Sequence, residues 1–163
     1  MKIAVLSDTH GNFTLAIRML DRIAGLDCII HLGDLLHDAE IIEQVLDIPV
    51  IKLAGNCDSA PQSNREILLT LDDKSLFLSH GDHYQVKNGS EKIYEKAFNM
   101  SADIVLYGHT HKALVEKKGD IILLNPGTLK DAASQQSLAI LKLERSEVTA
   151  EIVDAKNIDF SAP

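Results

Sequence analysis

Five short stretches of this chain carry side chains able to hold metal ions, and each follows an apolar run. They are Asp8-Thr9-His10, Gly33-Asp34, Gly55-Asn56-Cys57-Asp58, His80-Gly81-Asp82-His83 and Gly108-His109-Thr110-His111. Imidazole nitrogen with carboxylate or amide oxygen is a donor set suited to divalent transition metals rather than to calcium. Asp8 and His10 stand two residues apart, as do His109 and His111, so in an extended chain each pair shares a side. Taken singly, each stretch is also an ordinary turn. Gly-Asp and Gly-Asn are common turn dipeptides, and Asp-Thr-His serves equally as a turn leading into a helix cap. A turn reading does not explain why all five close an apolar run.

Those runs are the elements that must position the chemistry. "KIAVL", "CIIHL", "PVIKLA", "SLFLS" and "DIVLY" precede the five stretches, and "IILL" precedes Asn125-Pro126-Gly127-Thr128. Short runs of Ile, Val and Leu read as buried strands. Helical spacing of apolar residues predicts helices over Phe13 to Ala24, capped by Asn12, over Ala39 to Leu46, and over Ser90 to Met100, capped by Ser90. Beyond Ala113, "ALVEKK", "DIILLN", "SLAILKLE" and "EVTAEIVD" read as strands of a C-terminal β-meander. The expected fold class is therefore α/β, with helices covering sheet faces. In open α/β sheets ligands bind outside the carboxyl ends of the strands, which gathers the polar stretches into one cluster at one rim.

Composition narrows the partners. A chain of 163 residues is expected to form a single domain over 1–163, with a core large enough to need no disulfide or structural zinc. Sixteen Lys+Arg against 24 Asp+Glu give a net charge of −8, and no basic stripe stands out. Nucleic acid is therefore not the expected partner, whereas a small phosphate ester held through metal suits an acidic chain. The two cysteines form no disulfide framework: Cys28 lies in an apolar run and Cys57 in a turn. The opening apolar stretch is too short for a signal peptide, and no run has the roughly 18 apolar residues of a membrane span. These features predict a reduced, cytoplasmic protein without a membrane partner.

In their order and spacing the motifs resemble the calcineurin-like metallophosphoesterases, and Gly-Asn-Cys-Asp in a short chain resembles their small bacterial and archaeal phosphodiesterase branch. The retromer scaffold subunit shares that fold. The resemblance runs from Met1 to about Thr128 and implies a four-layer α/β/β/α sandwich of the metallophosphoesterase type. It also implies a dinuclear-metal phosphodiesterase that hydrolyses small phosphate esters by in-line attack of a metal-bridging hydroxide. Carried over by position, one ion takes Asp8, His10, Asp34 and His111, and the other takes Asp34, Asn56, His80 and His109. The chemistry agrees: Asp34 has two oxygens with which to bridge ions roughly 3.5–4 Å apart, and Asn56 adds a neutral amide oxygen. Mn²⁺ is the favoured metal, with Ni²⁺, Zn²⁺, Fe²⁺ and Co²⁺ as alternatives.

Two positions depart from the family pattern. Cys57 stands at the usual acid position, where many members carry a histidine that protonates the leaving group. A thiol of ordinary pKa about 8.5 is a poor substitute, so good leaving groups are expected. Asp82 replaces the second histidine of a His-Gly-His, with His83 next and read as a surface residue. His31 is read as a satisfied buried residue and His37 as a loop histidine. Asp58 either orients a ligand or caps a turn, and Asn125 to Thr128 form a structural turn behind the metals. Two other functions compete. A non-catalytic interaction scaffold on the same fold lacks the histidine after the first aspartate, and here His10 is present. A nucleotide-specific phosphohydrolase calls for base-binding aromatics, which are only 4% here with no tryptophan. Self-association into a homo-oligomer, with Phe160 packed on a neighbour, is a further expectation.

Overall fold

Strand β1 (Lys2–Leu6) has no polar face: Ile3 and Val5 enter one apolar layer, Ala4 and Leu6 another. A strand apolar on both sides must be covered on both. The computed structural model, which describes residues 1–59, 62–145 and 147–161, shows how this is done. After β1 come α1 (Phe13–Leu20), β2 (Cys28–His31), α2 (Leu36–Leu46), β3 (Val50–Lys52), β4 (Glu66–Leu71) and β5 (Lys74–Ser79). Then follow α3 (Glu91–Asn99), β6 (Ile104–Tyr107), β7 (Leu114–Lys118), β8 (Ile121–Asn125), β9 (Ser137–Leu143) and β10 (Val148–Asp154).

The strands form two sheets of five, ordered β10-β9-β1-β2-β3 and β4-β5-β6-β8-β7. β1, β2 and β3 are parallel in the first, as are β5, β6 and β8 in the second. Between the sheets Ile3, Val5, Ile30 and Leu32 share one core with Leu76, Leu78, Ile104 and Leu106. On the outer face of the first sheet, Ala4, Leu6 and Ile29 pack with Ala16 and Met19 of α1 and Ile42 of α2. On the outer face of the second, Phe77, Val105 and Leu123 pack with Ile93 and Ala97 of α3. The result is the four-layer α/β/β/α sandwich, with the parallel strands of both sheets delivering their carboxyl ends to one rim.

Several local details differ from the sequence reading. That reading contains no strand at β4, a half-exposed edge strand. Its turn into β5 is Asp72-Asp73, both at positive φ (46° and 62°), as a two-residue hairpin requires. The four C-terminal strands form, but as two hairpins on different sheets rather than one running meander. β8 is buried on both faces and lies inside the second sheet beside β6, while β9 is buried and lies beside β1. Neither could occupy a solvated edge, so residues 126–136 cross between the sheets.

Asn12 and Ser90 stand at N-cap positions yet make no capping bond. Asn12 Nδ2 donates instead to the Leu129 carbonyl at 2.7 Å. α1 stops at Leu20, four residues short of Ala24, and α2 begins at Leu36 rather than Ala39. The early start of α2 has a tertiary cause: the Leu36 N–H donates to Asp58 Oδ1 at 2.7 Å, a cap supplied from another loop. Phe160 is half-buried. Its ring packs on the chain's own α1, 4.3 Å from the Arg18 guanidinium carbon. No helix among the described residues is long and apolar enough to cross a membrane.

Candidate metal centre

Each polar stretch begins within four residues of a strand's carboxyl end: Asp8 after β1, Asp34 after β2, Asn56 after β3, His80 after β5 and His109 after β6. The chain there is not extended. Asp8, His10, Asp34, His109 and His111 all adopt positive φ, between 48° and 66°. This left-handed backbone costs a non-glycine residue about 1–2 kcal/mol and persists only where surrounding contacts impose it. The contacts are present. Asp8 N–H donates to the Gly33 carbonyl at 2.9 Å and His10 N–H to the Asp34 carbonyl at 3.1 Å. Thr128 Oγ1 donates to the Asp8 carbonyl at 2.7 Å, and Asn125 Nδ2 to the Gly108 carbonyl at 2.9 Å. The two-residue spacing therefore does not put His109 and His111 side by side on one ligand site; the turns send them to different neighbours.

His111 Nε2 lies 3.0 Å from Asp8 Oδ1 and 3.4 Å from His10 Nε2. His109 Nδ1 lies 3.2 Å from His80 Nε2, which is 3.1 Å from Asn56 Oδ1. Asp34 Oδ2 stands between the groups, 3.9 Å from His10 Nε2 and 3.5 Å from His80 Nε2. All seven residues that the family resemblance named are thus brought together at one rim, where Asp8, His10 and His111, and Asp8, Asp34 and His80, each place ligand atoms within 4.8 Å of one another. The atoms fit cations better than one another. Asp8 Oδ1 is buried and is, among the described residues, the buried side-chain atom without a hydrogen-bond partner. His80 Nδ1 donates to the Leu32 carbonyl at 2.8 Å, so its Nε2 turns a lone pair toward two oxygens and another ring nitrogen. Lone pairs so crowded repel unless positive charge lies among them.

The electrostatics prepare the same donors. Burial lowers the pKa of His10 against the pull of Asp8 and Asp34, and burial with the neighbouring His80 lowers that of His109. Both rings are neutral at pH 7 and offer lone pairs. Burial works against the charge on Asp8, but His111, His80 and the hydrogen bonds from Ser7 and His109 N–H outweigh it and hold the carboxyl below its usual range. Cys57 is exposed at the rim, within reach of His10 and Asp34 as a further donor. The Asp34 carboxylate, then burial, push its thiol up to about 11.

Residues 1–146 match the calcineurin-like phosphoesterase superfamily domain. The chain belongs to this family. Among curated relatives of this metallophosphoesterase domain is the probable metallophosphoesterase YsnB of Bacillus subtilis, 31% identical over 160 residues covering 94% of this chain and 91% of that protein. Another is the phosphodiesterase YfcE of Escherichia coli, 30% identical over 153 residues covering 79% of each. Among solved structures, Vps29 of Entamoeba histolytica in complex with zinc superposes with a TM-score of 0.71 at 22% identity, over 95% of this chain and 99% of that one. That last likeness shows the shared fold.

The remaining polar residues of the metallophosphoesterase rim sort by their contacts. Asp58 is a loop holder: its Oδ2 accepts from the N–H groups of Asp34 (3.1 Å) and Gly55 (2.8 Å). Asn125 and Thr128 brace the Gly108 and Asp8 turns from behind. Asp82 pairs with Arg65 at 2.6 Å, and Arg65 also donates to the Gly55 carbonyl, so this departure ties the Asn56 loop to the His80 loop. His83 is exposed beside Asp82, and His37 is exposed against Glu40; neither reaches the centre. The sequence reading missed Arg65 and the buried Asp38, which accepts from Thr9 Oγ1 (2.6 Å) and Gly11 N–H (2.7 Å). A signal for Asp38 was present, as an aspartate on the buried face of a helix. For Arg65 there was none, because its partners come from two other loops.

His31 completes that buried network. The Gly33 N–H donates to its Nδ1 at 3.2 Å, which leaves Nε2–H to donate to Thr9 Oγ1 at 3.1 Å. A protonated ring would set Nδ1–H against the Gly33 N–H, and burial takes the pKa from 6.5 down to about 4. The unfolded chain therefore binds the proton first as pH falls. Stability from neutral His31 is complete above pH 6.5 and is lost between 6.5 and about 4, by about 3 kcal/mol at the acid end. Urea titrations of metal-free protein across this window should show a shallower acid loss for His31→Gln. Equal slopes would mean that His31 is not the group titrating.

Proposed function

We propose that this metallophosphoesterase is a dinuclear-metal phosphodiesterase of small phosphate esters. Asp8, His10, Asp34 and His111 would hold one ion, and Asp34, Asn56, His80 and His109 the other. The observation that carries this reading is Asp34 Oδ2, which faces His10 Nε2 at 3.9 Å and His80 Nε2 at 3.5 Å and so belongs to both sets. Two divalent ions there supply a water acidified toward a pKa of about 7 and charge neutralisation for the phosphoryl oxygens. The chain's own groups hold the arrangement: His80 is locked by the Leu32 carbonyl, Asp8 by Ser7 and the His109 N–H, and Asp34 by the Cys57 N–H at 2.9 Å. Imidazole nitrogen with carboxylate and amide oxygen, and no thiolate in either set, favours Mn²⁺. Two unpaired cysteines support a reducing, cytoplasmic setting. The names of the relatives support phosphodiester over monoester hydrolysis, and the presence of His10 supports an enzyme over an interaction scaffold.

The test is metal counting by mass spectrometry after Mn²⁺ loading, with hydrolysis of bis(p-nitrophenyl) phosphate before and after chelation. Two ions per chain and chelator-sensitive turnover are expected. Metal binding without turnover of any mono- or diester would favour the scaffold.

Cys57 sets the leaving-group range. As a protonated thiol it is a weak acid, so Cys57→His should raise turnover of alkyl esters by roughly tenfold or more and that of nitrophenyl esters far less. Equal gains for both ester classes would remove position 57 from leaving-group protonation.

A further inference from the structure

Against the Thr110 side of the paired-histidine turn lies a cavity of about 380 Å³, whose walls include Val86, Lys87, Ser90, Tyr107, Thr110 and Lys112. That volume suits a group of about one ring with a substituent. Thr110 separates His109 from His111, so the cavity adjoins the metal centre described above. The wall chemistry is opposite to that of the protein. Acidic residues outnumber basic ones by 24 to 16, yet the lining holds two lysines and no aspartate or glutamate.

Those lysines are also unengaged. Lys52 is paired with Glu43 and Lys118 with Glu91, whereas Lys87 and Lys112 make no side-chain ion pair or hydrogen bond among the described residues. Ser90 makes no capping bond, so its hydroxyl faces no competing partner there. Val86 and Tyr107 are buried and make the floor apolar. We infer that the cavity is a subsite for an ester arm that ends in its own phosphate, held by Lys87 and Lys112. The inference rests on the phosphodiesterase reading and narrows it: preferred substrates are diesters with one phosphorylated arm of about ring size.

The first measurement uses metal-free protein and 1-naphthyl phosphate, read by amide chemical shifts and calorimetry. Shifts at residues 86–90 and 110–114 are expected, with affinity weakened roughly tenfold in the Lys87→Ala/Lys112→Ala double variant. Shifts confined to Asp8, His10, Asp34, His80, His109 and His111, or an unchanged affinity in the variant, overturn the subsite. The second measurement uses Mn²⁺-loaded protein and compares kcat/KM for bis(p-nitrophenyl) phosphate with that for a nitrophenyl diester whose other arm ends in phosphate. A preference of roughly tenfold for the phosphorylated arm, lost in the double variant, is expected. Hydrolysis of both substrates at equal efficiency overturns the subsite and leaves the phosphodiesterase reading intact. Probe binding at the two lysines with hydrolysis of neither substrate supports the anion subsite and overturns the phosphodiesterase reading alone.

Discussion

Asp34→Asn should release both ions and lower turnover by roughly a thousandfold or more, with little change in melting temperature of the metal-free chain. The substitution keeps the size of the side chain and an Oδ1 that accepts the Cys57 N–H at 2.9 Å. It replaces the shared carboxylate oxygen by an NH₂ group facing His10 Nε2 and His80 Nε2, 3.9 and 3.5 Å away. Donors then point at both lone pairs, which relieves their repulsion in the metal-free protein and opposes metal at both sets. His109→Ala and His111→Ala should behave differently, each weakening one ion first. Metal content by mass spectrometry, kcat and thermal melts separate the cases. An Asp34→Asn protein that keeps two ions and its activity would dismiss the shared-carboxylate arrangement.

Gly33→Ala should cost roughly 3–5 kcal/mol of folding stability. A Cβ at this position would stand 2.4 Å from the Gly55 nitrogen, 2.7 Å from its Cα and 2.9 Å from the Ala54 carbonyl carbon. All three are backbone, and the backbone φ of Gly33 is +100°. Neither loop can give way cheaply. Asp58 clamps the Asp34 and Gly55 N–H groups together, and the Gly33 carbonyl accepts from Asp8 N–H. The same displacement would move Asp8, Asp34 and Asn56 apart, so metal affinity should fall with stability. Gly11→Ala is the control: its φ is +90° but nothing lies within 4 Å, so only the conformational cost of about 1 kcal/mol applies. Equal losses in urea unfolding would show that the close approach of the two loops is not what Gly33 serves.

The contrast between these two glycines marks how far the sequence reaches. The ligand types, and their place after apolar runs, were legible because both are local. A run buried on two faces needs Ile, Val and Leu throughout, and the first polar residues after it must lie at the sheet's rim. β1, β2 and β6 could be read this way; β4 could not, since an edge strand with one wet face carries a weaker pattern. Helix boundaries failed where a cap came from elsewhere, as Asp58 does for α2.

By itself the sequence determined an α/β chain with a His, Asp and Asn cluster at one rim, and its family resemblance named the seven residues in it. The same resemblance implied how they divide, and only the tertiary structure shows where each side chain points. His109 and His111 are neighbours in the chain, yet His109 meets His80 while His111 meets Asp8 and His10. Their side-chain directions follow from left-handed backbone at both histidines, and that conformation is imposed by distant groups such as Asn125 and the Asp8 carboxylate, which lies 101 positions from His109. The lysine-lined cavity is of the same kind: Lys87 and Lys112 belong to separate segments, and only packing of α3 against β6 and β8 makes them one surface. Residue type is written in the chain, whereas the direction in which a side chain points depends on contacts made across it.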